Sequence, residues 1–387
     1  MVRTSIIFGI AAALLCMPAI SIAANDDPKE LERVLAKVRS NPMIFMLATG
    51  ETNACGRSCA EWIAAEGEFD DGAAQRFREF LAAMENRNLS IFFNSDGGLV
   101  SQAVQIGWIL RENRMSAGVA RTVPEGCNLG SPPTEACRRL MGSKREHKAR
   151  LYFGAARCAS ACVYAMVGAS TRHVDPAANV RIHSGVGQEV DKAQNFVRRY
   201  VVTMGVDPAL VDAAAKIPFR SFRGLSRGEM EQFGFETRGT HETPWFAYHG
   251  PPEEFLLLKS ITLAAGAAGD QFRTRTVGLA CGPLHPHIRF IYRQELTSKE
   301  SRSPPMLRAK IGDSLIDLTV DPNKDSLEKS FDIEPRQLHG AVESGRFEIA
   351  ETLDRAAIKL APAVVKFSTS GIWAEIAALE KCASKNN

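Results

Sequence analysis

Apolar residues recur along this chain with two different periods, and the switches between them outline its organisation. In "DPKELERVLAKVRSN", Leu31, Val34, Leu35 and Val38 share one face at helical spacing, which predicts an amphipathic helix. "PMIFMLAT" (42–49) is a short apolar run bounded by proline and glycine, and predicts a buried strand. "FDDGAAQRFREFLAAMENRN" turns Phe77, Phe80, Leu81 and Met84 to one side, so a second helix is expected. "LSIFFNSDGG" (89–98) reads as a strand running into a glycine turn, and "LVSQAVQIGWILRENR" as the helix after it. This alternation predicts an α/β fold with parallel strands.

The stretch "RTVPEGCNLGSPPTEACRRLMGSKREHKA" shows no period and reads as a surface excursion. The pattern then resumes with a strand in "RLYFGAA", a helix after "CASAC", a strand in "ANVRIHSG" (178–185), two helices at about 188–204 and 207–216, and a short capped helix at 225–234. "RGTHETPWFAYHGPPEE" (238–254) has the composition of a linker. Beyond it, "FRTRTVGLACG", "HIRFIYRQEL", "MLRAKIGDSLIDLTV", "RFEIAETLD" and "AVVKFSTSG" read as strands, closed by a helix in "IWAEIAALEKCA". The expected divisions are 1–23, 24–240, a linker at 241–254 and a smaller β-rich domain at 255–387.

Composition narrows the picture. A chain of 387 residues exceeds what one core usually holds, which favours two domains. A net charge of +3 with 24% charged residues gives no electrostatic case for nucleic acid. The start "MVRTSIIFGIAAALLCMPAISIAAND" has a basic residue, an apolar run and small residues before Asn25, the layout of an export signal cleaved near Ala23 or Ala24. No later segment approaches the ~18 apolar residues of a membrane span. The mature protein is therefore expected in the periplasm or secreted.

Export changes how the cysteines read. Eight remain after the signal, and an even count in an oxidising compartment favours disulfides. Local pairs Cys55–Cys59, Cys127–Cys137 and Cys158–Cys162 are expected, with Cys281 joined to Cys382. Two C-x-x-x-C spacings would also suit a four-thiolate zinc site, but no histidine lies near them in sequence, and no metal or cofactor is expected.

Three elements carry candidate chemistry. The turn "NSDGG" offers backbone N–H groups at Gly97 and Gly98 that could cradle an oxyanion, although a plain strand-to-helix turn would look the same. Ser160, in "CASAC" at a helix start, is either a nucleophile with the N–H of Ala161 beside it or a helix-capping serine. His183 ends the apolar strand "NVRIH", where α/β folds place catalytic groups, although a lone histidine is more often structural.

Taken in order, glycine turn, serine and histidine resemble the Clp-type serine peptidases of the Clp/crotonase superfamily, over about Pro42 to Gly234. The resemblance implies a spiral of β-β-α units, with Ser160 as nucleophile, His183 as base, and Gly98 and Ala161 as the oxyanion N–H donors. It implies a peptide or protein substrate and no cofactor. Ring assembly is not carried over, because the segment after His183 is short, and no oligomer is predicted.

Two departures stand out. Asp96 replaces the family's proline and puts a carboxylate beside the oxyanion turn, harmful unless it turns away to bond the turn or the next helix. The family's acid precedes an L-S element, here "RSFRGLS", and Phe222 (or Ser221) stands in its place; Asp207 and Asp212 lie nearby but off the motif. The third acid is thus unknown. Two readings follow: a serine hydrolase of peptidase type, or a Clp-fold binding or scaffold protein with weak or lost chemistry. An acyl-thioester enzyme does not call for the Ser–His pair, and no lysine is placed for a Ser–Lys dyad.

Overall fold

The computed structural model describes residues 28–385, except 57–58, 86, 130–133, 144, 186–189, 251–253, 266–270, 284, 296–305, 319–325 and 353–362. The expected export signal lies outside the described residues. The first half comprises α1 (Pro28–Ser40), β1 (Ile44–Thr49), β2 (Glu61–Glu66), α2 (Ala73–Ala83), β3 (Ser90–Asn94), α3 (Val100–Glu112), β4 (Ser116–Val119), β5 (Arg121–Pro124), α4 (Glu135–Met141) and β6 (His147–Tyr152). It continues with β7 (Arg157–Ala159), α5 (Ala161–Val167), β8 (Thr171–His173), β9 (Asn179–Ile182), α6 (Val190–Thr203), α7 (Ala209–Ala215), β10 (Arg223–Gly224) and α8 (Arg227–Gln232).

Seven strands form one sheet in the order β5-β6-β1-β2-β3-β4-β8. Its central strands are buried on both faces, which is why they read as apolar runs without alternation. Side chains still alternate: Ile63, Ala65, Ile91 and Phe93 face the larger core with α2, α3 and α5, while Trp62, Ala64 and Phe92 face a smaller one with Met46 and Ala120. The sheet is not wholly parallel as expected. β1 and β2 form an antiparallel pair, as do β5 and β6, whereas β2, β3, β4 and β8 run parallel.

"RLYFGAA", expected as one strand, is two elements. Ala155 has φ 63, which turns the chain between β6 and β7. β7 leaves the main sheet and joins a three-stranded sheet ordered β10-β9-β7, with β7 parallel to β9.

The stretch read as a linker holds two short strands, β11 (His241–Glu242) and β12 (Phe246–Gly250), both paired with β13 (Glu254–Ala265). Then come β14 (Gln271–Gly282), β15 (His285–Glu295), β16 (Met306–Ile311), β17 (Ser314–Leu318), β18 (Ser326–Ile333), α9 (Pro335–Glu343), β19 (Arg346–Thr352), β20 (Ala363–Ser368) and α10 (Trp373–Lys385). One sheet is ordered β11-β13-β14-β15-β18 and a second β17-β16-β19-β20. They share a core with α9 and α10 that includes Leu257, Phe290, Tyr292, Phe347, Phe367 and Leu379.

The halves meet through Val202 of α6, which packs with Leu256, Leu258 and Ala280. They also meet through Arg111, a fully enclosed guanidinium at the end of α3. It donates to the carbonyls of Val167, Gly168, Ala169 and Met204 and to Thr274 Oγ1 of β14 at 2.9 Å. Arg172, equally enclosed, donates to Val167, Ala169, Gly234 and Phe235 carbonyls. The last carbonyls of α5, which no helix can satisfy internally, are thereby capped by two guanidiniums.

Cysteines pair as expected: Cys55–Cys59, Cys127–Cys137, Cys158–Cys162 and Cys281–Cys382, with Cα separations of 5.1, 5.8, 5.2 and 6.1 Å. These separations suit disulfide bridges. That pairing uses the thiolates a zinc site would have needed. Among the described residues, no helix is long and apolar enough to cross a membrane.

Candidate functional site

The site grows from the carboxyl ends of three strands. β3 ends at Asn94, and the chain then passes Ser95, Asp96, Gly97 and Gly98 before α3. Ser95 bridges to β7: its N–H donates to the Arg157 carbonyl at 2.8 Å, and its carbonyl accepts from Ala159 N–H at 3.0 Å. This bridge lays the glycine turn beside the residue that follows β7, Ser160.

Both glycines are required by geometry. Gly97 (φ 118) and Gly98 (φ 123) occupy backbone conformations that side chains rarely adopt. A Cβ on Gly97 would stand 2.7 Å from Ser160 Cβ, and one on Gly98 would stand 2.6 Å from the Phe69 carbonyl oxygen. Phe69 N–H donates to the Gly97 carbonyl and Leu99 N–H to the Phe69 carbonyl, each at 2.8 Å. The N–H of Gly98 meets no acceptor among the described residues.

The carboxylate of Asp96 is turned aside, although not as expected. Instead of bonding the turn or the next helix, it receives both arms of Arg157: Nε donates to Oδ1, and Nη2 to Oδ2 at 2.8 Å. These bonds hold the Asp96 pKa below the usual carboxylate range. Nearby, Glu66 accepts from Asn94 Nδ2 at 2.8 Å and from Thr122 N–H at 2.6 Å. Burial nevertheless pushes its pKa up to about 7. Burial, reinforced by Asp96, does the same to Glu68.

Ser160 has φ 54 and ψ −120, directly before α5, and its side chain makes no capping hydrogen bond to the helix. The capping role is therefore not the one it performs. A non-glycine residue in such a conformation costs about 1–3 kcal/mol and persists only where its surroundings over-determine it. Here Ser160 N–H donates to the Arg181 carbonyl at 2.9 Å, and its own carbonyl accepts from Val163 N–H at 3.0 Å. As the first residue of α5, Ala161 has no helical acceptor for its N–H.

His183 follows β9. The parallel register sets Ala159 opposite Arg181, so Ser160 and His183 leave the same end of neighbouring strands, which lie about 4.8 Å apart. No hydrogen bond joins Ser160 Oγ to His183. The imidazole is buried, its ring centroid 4.6 Å from that of Phe222 and 5.0 Å from that of Phe219. Among the described residues, its buried Nδ1 meets no hydrogen-bond partner. Burial lowers its pKa from 6.5, and the neighbouring backbone of Ser184 and Phe219 opposes the shift only in part.

Among the described residues, no carboxylate stands beside His183. Asp207 accepts from Ala209 N–H at 2.8 Å, and Asp212 binds Arg198 at 2.6 Å. Phe222, 49% exposed, puts an aromatic ring against the histidine instead. Sequence reasoning missed Phe219 and Arg157. The Phe-x-x-Phe spacing in "PFRSF" was the one available hint for the former, and nothing local marks the latter. Among the described residues, no three metal-ligating side chains cluster.

No family model and no curated protein matches this chain. Among solved structures, it resembles a mutant of the 1510-N membrane-bound stomatin-specific protease at 12% identity, covering 50% of this chain and 78% of that one, with a TM-score of 0.30. A second mutant of that protease, in complex with a substrate peptide, gives 13% identity, 50% and 74% coverage and a TM-score of 0.30. A ClpP1 mutant from Listeria monocytogenes gives 14%, 54% and 93%, with a TM-score of 0.25. Likenesses this slight leave any assignment of the site to the chain's own geometry.

Proposed function

We propose that this protein is an exported serine hydrolase of peptidase type, acting without a metal or cofactor. Ser160 Oγ attacks the substrate carbonyl while His183 takes its proton, then returns it to the leaving amine. The N–H groups of Gly98 and Ala161 hold the developing oxyanion, and water then releases the acyl group. The same reading takes residues 24–240 as a Clp/crotonase-like spiral and 255–387 as a separate β-rich domain.

The observation that carries this reading is the backbone of Ser160. A serine held at φ 54 between a strand and a helix, with its hydroxyl not spent on a cap, has the geometry of a nucleophile elbow. A fluorophosphonate probe with peptide mapping tests it. Modification at Ser160, lost in Ser160→Ala, is expected; an unmodified serine in the folded protein removes the reading.

A second reading has its own support. Among the described residues His183 Nδ1 has no partner and the Phe222 ring lies against the imidazole, which supports a Clp-fold protein that binds peptides and no longer cleaves them. Under that reading the probe leaves Ser160 untouched, while the protein still binds peptide.

A further inference from the structure

Ser160 lies at the centre of the five-residue ring closed by Cys158 and Cys162. Asn53, Glu85, Arg114, Ala155 and Ser160 are the described non-glycine residues with positive φ, and of these Ser160 alone falls inside a disulfide loop. One half-cystine sits in β7, paired in register with Val180; the other sits in the first turn of α5. Both are completely buried. The bridge thus ties the end of the strand to the start of the helix across a residue held at positive φ.

Other restraints on Ser160 act on its backbone from outside, through the Arg181 and Val163 hydrogen bonds. The disulfide adds a covalent tie between residues 158 and 162, on top of the pairing of Cys158 and Ala159 with β9. The serine side chain lies against Gly97, where an added Cβ would come within 3.2 Å of Oγ. A turn of Ser160 toward negative φ swings Oγ away from that turn.

We propose that the Cys158–Cys162 disulfide is a positioning device for Ser160, so that the nucleophile is assembled only in the oxidised chain. The inference rests on the hydrolase reading above. A dithiol supplies two electrons and two protons to the bond, giving two thiols and leaving itself a cyclic disulfide. The reduced protein keeps its fold but holds Ser160 loosely. A chain still in a reducing compartment is therefore inactive.

The test is the second-order rate constant for fluorophosphonate modification of Ser160, measured across pH on the full chain. Cys158→Ala/Cys162→Ala is compared with wild type and with Cys55→Ala/Cys59→Ala, which opens a bridge of equal spacing away from the site. Cooperative thermal unfolding is recorded for each. The site variant is expected to fold and to react roughly 100-fold more slowly, the size of penalty that misplacing a reacting group by about an ångström can impose. The pH midpoint should be unchanged, because His183, just after β9, is untouched, and the control should keep the wild-type rate. A folded site variant that reacts at the wild-type rate overturns the inference.

Should that variant not fold, the wild type is treated with graded dithiol, and opening of each bridge is followed by alkylation and mapping. A rate that falls in step with opening of Cys158–Cys162 supports the inference; an unchanged rate with that bridge open overturns it. Wild-type protein that is never modified defeats the hydrolase reading itself and this inference with it. That result is distinct from modification that ignores the disulfide.

Discussion

Ser160 and His183 leave the same end of two neighbouring strands, β7 and β9, and they are held in opposite ways. The serine is restrained by two backbone hydrogen bonds, a disulfide around it and a glycine turn against it. The histidine follows its strand and is flanked by two phenylalanines, yet its Nδ1 meets no partner among the described residues. A buried nitrogen left unpaired costs about 1–3 kcal/mol, and what holds the ring is its packing and the backbone of Ser184 and Phe219. The contrast separates two requirements that a Ser-His-Asp triad meets together: presenting a nucleophile and orienting its base.

The largest effect should come from removing either partner. Ser160→Ala and His183→Ala are each expected to lower hydrolysis by ~10³-fold or more, to one shared floor, because residues acting as a unit are not additive. Peptidase assays on the two single variants and the double variant check this. A His183→Ala enzyme well above the Ser160→Ala floor would mean that the loosely held histidine is not the base.

Next in size is the missing acid. Replacing a triad aspartate costs on the order of 10⁴ in rate, so restoring one at Phe222 should recover part of that. Phe222→Asp is expected to raise hydrolysis roughly tenfold or more, within that ceiling. A variant no faster than wild type would show that the aromatic cradle, not the absent carboxylate, sets the histidine's orientation.

The smallest effect concerns pH. A base must be neutral, and burial keeps the folded imidazole neutral below its ordinary 6.5. Modification of Ser160 should therefore persist to a more acidic pH than an ordinary histidine allows. Linkage gives the matching stability change: the unfolded chain takes up this proton first, so His183 lowers stability as pH falls below 6.5. Glu66 and Glu68 act oppositely. The folded state retains their protons up to about 7, so each lowers stability as pH rises from 4.5 through that value. Urea denaturation from pH 5 to 8 reads their sum, since the windows overlap below 6.5, and Glu68→Gln should reduce the loss of stability with rising pH up to about 7.

The elements around the candidate site were legible wherever local pattern and local function coincide. "NSDGG", "CASAC" and "VRIH" each mark a strand end, and the four cysteine pairs followed from parity and spacing. β2 escaped because "EWIAAE" shows no period of two; it is buried on both faces, and alanine is a poor marker of strands. The long run "EFLLLKSITLAA" of β13 gives no local signal, because an apolar stretch of that length does not distinguish strand from helix. The Asp96–Arg157 pair joins residues 61 positions apart and depends on the β3–β7 bridge, which no local signal announces.

The two enclosed guanidiniums behind α5 have one further consequence. The helix is seven residues long, about 10 Å, with Ser160 at its head and Arg111 and Arg172 gripping its tail. Arg111 also grasps Thr274 of the β-rich half. Ser160 and the β-rich half thus lie at opposite ends of one short helix, joined through Arg111 by direct hydrogen bonds.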